Sequence, residues 1–348
     1  MIVLVRKQLN IIIKKAQFIL GFLFLFTSCE KSLNNYIFSG NTMGTSYNIK
    51  LNFSYTSHQR WVIEKGIDSI LINLNQQMST WIKDSEISLF NRIRSSVPYK
   101  ISNEFFYVLQ QGKLLNKKTG GAFDYTIFPL AELWGFGPDS KEYVETPNIS
   151  DLKKVLQYVG INKVELDYPY IKKTHPETQI DLNAIAKGYA VDILHNWLLQ
   201  RGFSNIFVEI GGEIRCSGKN IDEKIWSVGI DMPNKSSIPG QELFSIINLD
   251  NKAIATSGSY RNFRVNNGKT INHTIDPVSG YSVETDIVSV SVIADNCLSA
   301  DAWATALMVL TYDEGLKKVN NDESIEAMWV VLKDKNIFEN FSSDGFLK

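Results

Sequence analysis

The chain has 348 residues, 44% of them hydrophobic, with 36 basic and 37 acidic side chains and a formal net charge of −1. Such a composition is globular, and the length suffices for one large domain or two modest ones. Near-neutral charge, with no basic run or RNA-binding aromatic motif after the first fifteen residues, argues against a nucleic-acid partner.

The amino-terminal segment stands apart. Arg6, Lys7, Lys14 and Lys15 precede an apolar run from Ala16 to Phe26, and no acid occurs before Glu30. A basic region followed by a short apolar core is a secretory signal pattern. The core is shorter than the roughly 20 apolar residues of a membrane span. Phe26-Thr27-Ser28-Cys29 resembles a bacterial lipobox. Residues 1–28 therefore read as a lipoprotein signal peptide, Cys29 as the lipidated first residue, 29–39 as a tether and 40–348 as the working domain. An ordinary signal peptide and an uncleaved anchor are the alternative readings. The lipoprotein reading places the protein on the extracytoplasmic face of a bacterial cell membrane, anchored by lipid. Cys216 and Cys297 are expected as buried thiols rather than a disulfide.

Beyond the tether, 48–53 alternates as a strand, and 61–78 puts Ile63, Ile67, Ile70, Leu71, Leu74 and Met78 on one helical face. A loop is expected over 79–88. Ser102 or Asn103 caps a helix to about Lys118, stopped by Gly120-Gly121. The stretch to Pro147 reads as loop, 151–159 as a short helix and 183–200 as a longer one closed by Gly202. The second half is strand-rich, with strands over 206–210, 226–230, 243–248 and 287–293. Ser289 and Ser291 alternate with Val290 and Val292, predicting one less buried face. A helix over 298–310, a short one after Asp313 and a strand over 328–332 follow. Helices first and hairpin-spaced strands after them predict an α+β fold of mostly antiparallel sheets packed with helices.

Several segments carry potential chemistry. Asp301 and Thr305 are four apart on a predicted helix, share a face and offer the hard oxygens that suit magnesium. A helix-start acid with a surface threonine is the plainer reading of that spacing. Asp181 and Lys187 flank a helix start, whose unpaired amides favour anions; a capping Asp and a solvated Lys is the plainer reading. Glu209-Ile-Gly-Gly-Glu-Ile-Arg215 places two glycines after a strand, as a bulge or a close ligand approach. Ala255-Thr-Ser-Gly-Ser-Tyr-Arg261 reads as phosphate-contacting hydroxyls or a polar turn. His273, ahead of Thr-Ile-Asp-Pro-Val-Ser-Gly280, can take a proton near neutral pH. No phosphate-binding glycine loop, dinucleotide fingerprint, HExxH or CxxC occurs.

In order, Gly40-Asn-Thr-Met-Gly-Thr45, Met78-Ser-Thr-Trp81, Asp84-Ser-Glu-Ile-Ser88, Phe90-Asn91, Gly121-Ala-Phe-Asp124 and Leu133-Trp-Gly-Phe-Gly137 precede the Asp181 segment. The Glu209, Ala255, His273 and Asp301 segments follow. This succession resembles the ApbE family, the FAD:protein FMN transferases, over about residues 38–332. The resemblance implies an ApbE or T-fold-like architecture and a magnesium-dependent reaction. FAD is split, FMN is joined by a phosphoester to a Ser or Thr of a target protein, and AMP leaves. Targets are typically flavoprotein subunits of membrane redox complexes. Carried over residue by residue, the magnesium ligands are the carbonyl of Ala184 with Asp301 and Thr305. Met43, Trp81, Ala122, Phe123, Asp124, Asp181, Lys187 and Ile275 match FAD-contacting positions. His273 and Asp301 match the catalytic ones. This chain departs from the family pattern at Trp81 (often Tyr), Tyr125 (commonly Pro), Ala184 (frequently Gly), and Glu213 and Ser259 (family Asp). Hydrolysis of FAD to FMN and AMP, and flavin binding without turnover, are the competing functions.

Overall fold

The computed structural model describes residues 34–53, 57–138, 146–233, 240–259, 263–266, 269–334 and 337–346. Its strands are β1 (Asn34–Thr42), β2 (Thr45–Phe53), β3 (Tyr99–Lys100), β4 (Val164–Asp167), β5 (Tyr170–Lys173), β6 (Ile206–Ile210), β7 (Glu213–Ser217) and β8 (Trp226–Asp231). They continue as β9 (Leu243–Leu249), β10 (Ala253–Gly258), β11 (Phe263–Asn266), β12 (Lys269–Asn272), β13 (Ile287–Ala294), β14 (Ile325–Asp334) and β15 (Ile337–Ser342). The helices are α1 (Ser57–Met78), α2 (Glu86–Arg92), α3 (Asn103–Thr119), α4 (Phe128–Leu133), α5 (Ile149–Val155), α6 (Ala186–Leu199), α7 (Cys297–Val309) and α8 (Tyr312–Val319).

The central antiparallel sheet has the order β1-β2-β6-β7-β10-β13-β14-β15. Period-two alternation sends its side chains to two apolar layers. On one face Ile49, Val208, Ala255, Val290 and Val292 meet α6 and α7, and Trp329 meets α8. On the other, Phe207, Ile214, Ile254, Met328 and Val330 meet the β8–β9 hairpin. On α6, Tyr189, Val191, Leu194 and Leu198 are buried, each contributing about 1.5–3 kcal/mol by leaving water. The α+β architecture and its antiparallel sheets are as expected. Among the described residues no helix is long and apolar enough to cross a membrane.

Several local expectations are corrected. β1 starts at Asn34, inside the segment expected as tether, because Phe38 turns inward beside Tyr47 of β2. α2 lies within and beyond the loop expected over 79–88; Ser85 caps it, and Ile87 and Phe90 supply its buried face. α4 occupies part of the expected loop, with Pro129 near its start, where the missing N–H costs nothing. α6 begins at Ala186 rather than Asn183, because Asp181 accepts from the Asn183 backbone N–H (2.6 Å) and holds the preceding residues in a turn. Ser289 and Ser291 are buried, since the β8–β9 layer covers that face and Ser291 bonds Thr256 across the strands at 2.8 Å. Residues 255–258 belong to β10 rather than to a turn; Tyr260 and Arg261 lie outside the described residues, as does the whole signal segment with Cys29.

Candidate active site

The site is organised by the start of α6. Ile180 and Asp181 arrive extended, and Asp181 donates its backbone N–H to the carbonyl of Tyr125 at 2.7 Å. Residues 183–185 turn, the N–H groups of Ile185 and Ala186 both reaching the carbonyl of Leu182, and the helix proceeds. Ala184 sits in that turn, partly exposed, which leaves its backbone near the helix mouth. First-turn amides have no intrahelical partner. One of them, Gly188 N–H, donates to Asp301 Oδ2 of α7 at 3.0 Å.

α6 and α7 touch closely there. A Cβ placed on Gly188 would stand 2.3 Å from the Cys297 carbonyl oxygen and 2.8 Å from Asp301 Cβ. The contact is fixed from a second point. Asp192 accepts from the backbone N–H of Cys297 and of Leu298 (2.9 Å each) and from Arg215 Nη1 (2.7 Å). One helix thus caps the next with a paired carboxylate. Four residues along α7, Thr305 Oγ1 lies 3.2 Å from Ser257 Oγ of β10, so Asp301 and Thr305 bracket one patch of the α7 surface.

This patch is electrostatically unbalanced. Lys187 pairs with Glu213, the first residue of β7. Burial pushes both carboxyls up, Glu213 to about 7 and Asp301 above its ordinary value, with Lys187 opposing both shifts. Burial works against the Lys187 charge, but Asp301 and Glu213 outweigh it and hold the ammonium protonated. Two buried acids share one lysine, and Glu213 Oε2 is buried without a hydrogen bond. That is a deficit of positive charge at a set of hard oxygens. Among the described residues no three His, Cys, Asp or Glu side chains form a cation cage. The expected set contains only one carboxylate, with a hydroxyl and a carbonyl, and this donor chemistry fits magnesium, which keeps much of its water.

The remaining candidates fall into two groups. Met43 and Gly44 form the two-residue turn of the β1–β2 hairpin with φ of 49° and 74°. That hairpin end adjoins the β6–β7 turn, where Gly211 donates to the Ser46 carbonyl at 3.0 Å and leads into Glu213. Asn75 of α1 donates to Thr42 Oγ1 at 2.9 Å, bringing the end of α1 and the following Trp81 to the same edge. Trp81 is 63% exposed, an unusual position for so large an apolar ring. Ala122 and Phe123 are buried beside α3, so their backbone is what a ligand can meet. Asp124 caps the turn after them at Thr126 N (2.8 Å), and burial raises both it and Asp181. The Tyr125–Asp181 hydrogen bond ties this segment to the start of α6.

His273 and Ile275 lie in a separate layer. The His273 ring stands edge-on to Phe136 at 6.3 Å, and Ile275 is buried with Leu130 and Trp134, its backbone bridging Ser282. Their segment meets the others where Val278 comes within 3.8 Å of a Cβ built on Gly121. Sequence reasoning noted Glu213 only as a departure and Ser257 only as one hydroxyl of the 255–261 segment, and it missed Asp192 as the cap of α7. A buried acid at a hairpin end carries no local signal of its distant lysine.

A sequence profile of the ApbE family matches residues 43–329. The chain belongs to the ApbE family. It is 37% identical over 327 residues to the FAD:protein FMN transferase of Vibrio cholerae, covering 94% of this chain and 96% of that one. The solved flavin transferase ApbE of Vibrio cholerae superimposes with a TM-score of 0.80 at 36% identity, over 90% of this chain and 98% of the other. The apo flavinyl transferase ApbE of Pseudomonas stutzeri gives 0.81 at 32% identity, over 90% and 96%. Similarity therefore extends over nearly the full length of both ApbE structures.

Proposed function

We propose that this chain is a magnesium-dependent FAD:protein FMN transferase, joining FMN through its phosphate to a Ser or Thr hydroxyl of a target protein and releasing AMP. The observation that best supports this reading is the α6–α7 junction, where Gly188, four residues after Ala184 and next to Lys187, donates to Asp301, and Thr305 stands one helical turn further along α7. Attack of an alcohol on phosphorus leaves the protein mainly the work of positioning and neutralising charge. In this reading the unpaired amides at the start of α6 and the Lys187 ammonium would meet the pyrophosphate once magnesium offsets the negative charge of Asp301 and Glu213. The exposed Trp81 ring offers a stacking face for a flavin or adenine ring. Ala184, Asp301 and Thr305 would hold magnesium, which when bound polarises the pyrophosphate and stabilises the leaving phosphate. His273 draws the proton from the acceptor hydroxyl.

The test uses the chain from residue 31 with FAD, magnesium and an acceptor domain carrying a Ser/Thr flavinylation site, followed by a denaturing gel. Flavin fluorescence on the acceptor, lost with EDTA, is the expected result. Free FMN and AMP without labelled acceptor would establish a pyrophosphatase instead, and bound FAD with neither product a flavin-binding protein. Asp301→Asn keeps an acceptor for Gly188 N–H while removing the charge. It is expected to fold and to lose at least about a hundredfold in turnover, on the scale of losing several kcal/mol of charge stabilisation. Near-normal magnesium-dependent activity would overturn the metal assignment.

We further assign residues 1–28 as a signal peptide and Cys29 as a lipid anchor on the extracytoplasmic membrane face, where acceptor subunits of redox complexes would be met. Cys29→Ser is expected to move the protein from the membrane to the soluble fraction; unchanged fractionation would refute the anchor.

A further inference from the structure

The segment from Ser79 to Asn91 contributes one exposed ring to the site, Trp81, and its other residues have so far no role there. Their hydrogen bonds supply one. Ser85 caps α2 by accepting from Ser88 N at 3.2 Å, and its hydroxyl donates back to the Ser79 carbonyl at 2.6 Å. Ser88 Oγ reaches the Thr80 carbonyl at 3.5 Å. The start of α2 is thereby stitched to the turn that carries Trp81.

At the other end of α2, Asn91 is 4% exposed and makes two buried hydrogen bonds to a single residue 89 positions away. Its Nδ2 donates to the Ile180 carbonyl, and its Oδ1 accepts from the Ile180 backbone N–H, both at 2.8 Å. A side chain here does what a neighbouring strand would do for the backbone. Asn91 is itself held: Lys173 Nζ, buried, donates to the carbonyls of Ile93 (2.9 Å) and Asn91 (3.3 Å). Ile180 immediately precedes Asp181, and Ala184 and Lys187 follow within the same turn and first helical residues.

We infer that Asn91 is a positioning residue of the flavin site: by clamping Ile180 it sets Asp181 and the start of α6 in the orientation that receives FAD. This rests on the flavin transferase reading, and α2 then links the Trp81 side of the site to the Asp181 side. The clamp needs one donor and one acceptor. An ionised Asp at this position offers two acceptors and repels the Ile180 carbonyl, whereas a protonated Asp regains the donor.

The experiment measures FAD affinity by flavin fluorescence, together with kcat and KM, for the wild type, Asn91→Asp and Asn91→Ala. Near pH 8, Asn91→Asp is expected to raise the KM and Kd for FAD at least about tenfold while kcat falls less than about threefold, the scale of one buried hydrogen bond lost. Asn91→Ala should weaken FAD binding to a similar degree. An unchanged Kd for both variants, or losses that only follow the unfolded fraction seen by circular dichroism, would overturn the proposal. If Asn91→Asp fails to fold, hydrogen exchange on Asn91→Ala decides: the Ile180 amide should exchange at least about tenfold faster than in the wild type, and unchanged protection refutes the clamp. A wild type that binds FAD but transfers no flavin leaves the Kd comparison intact and overturns only the transferase reading; a wild type that binds no FAD overturns both.

Discussion

Substitution of Gly188 by Ala tests the α6–α7 junction directly. In an isolated helix this change is favourable by about 1 kcal/mol. Here the new methyl would lie 2.3 Å from the Cys297 carbonyl oxygen, 2.7 Å from its carbon and 2.8 Å from Asp301 Cβ. Two of these atoms are backbone, pinned by Asp192 through the Cys297 and Leu298 amides, so they cannot swing aside as a long side chain would. Overpacking of this kind costs about 1–3 kcal/mol, and separating the helices also weakens the Gly188–Asp301 hydrogen bond, a charged-acceptor bond of about 1.5–3 kcal/mol. Allowing for the propensity gain and for overlap between the two losses, Gly188→Ala should destabilise the apo protein by about 2–4 kcal/mol. Urea unfolding, monitored by tryptophan fluorescence, measures this as a lower midpoint at unchanged slope. FAD turnover should fall with it, because the displaced group is Asp301. A variant as stable as the wild type and equally active would refute the close packing and the positioning of Asp301 by α6.

Other outcomes follow from single residues. Met43 holds a φ of 49° that L side chains adopt at a cost of about 1–2 kcal/mol; Met43→Gly should therefore raise the melting temperature while weakening FAD binding, and weaker stability would show that the side chain is there for packing. Trp81→Ala should change stability by less than about 0.5 kcal/mol, because the ring is exposed, yet raise the KM for FAD severalfold; an unchanged KM removes Trp81 from the site. Asp192→Ala strips the α7 start of its acceptor and leaves Arg215 unpaired, for an expected loss of about 2–4 kcal/mol in urea unfolding, with a loss below about 0.5 kcal/mol refuting the bridge.

The pH dependence of the metal-free protein has a definite sign. Glu213 titrates at about 7 when folded against an ordinary 4.5, so the folded state holds the proton more tightly. The stability this contributes is complete below about pH 4.5 and is lost as the pH rises through about 7. Relative to Glu213→Gln, which does not titrate, the wild type should lose of order 1–3 kcal/mol across that window. A constant difference between the two proteins from about pH 4.5 to pH 7 would show that Glu213 is not held in the buried, crowded setting described.

Much of the architecture was legible from local pattern. The apolar stripe from Ile63 to Met78, the Ser102 and Gly120 helix limits, and the Val-rich run of β13 each encode an element in residues close together in sequence. Periodicity reports which face an element buries, and capping residues report where it stops. Where these signals conflicted with capture by a nearby side chain, as at Asp181 and Asn183, the helix start moved. β1 was misjudged because only Tyr36-Ile37-Phe38 carries strand propensity, and its polar flanks owe their conformation to the β2 hairpin partner.

The order of motifs along the chain was enough to suggest the family and to name Asp301, Thr305, Asp181 and Lys187. Spacing by itself also put Asp301 and Thr305 on one helix face and Lys187 near a helix start. What the tertiary structure decided is their company. Lys187 meets Glu213 and Asp301, Asp192 caps a helix more than a hundred residues away, and Asn91 completes the bonding of Ile180. Such pairings arise where a sheet and two helices are brought into contact by burial of apolar surface. Burial is also what raises the carboxyl pKa values and leaves the site short of positive charge, so the electrostatic demand for a cation exists only once the chain has folded.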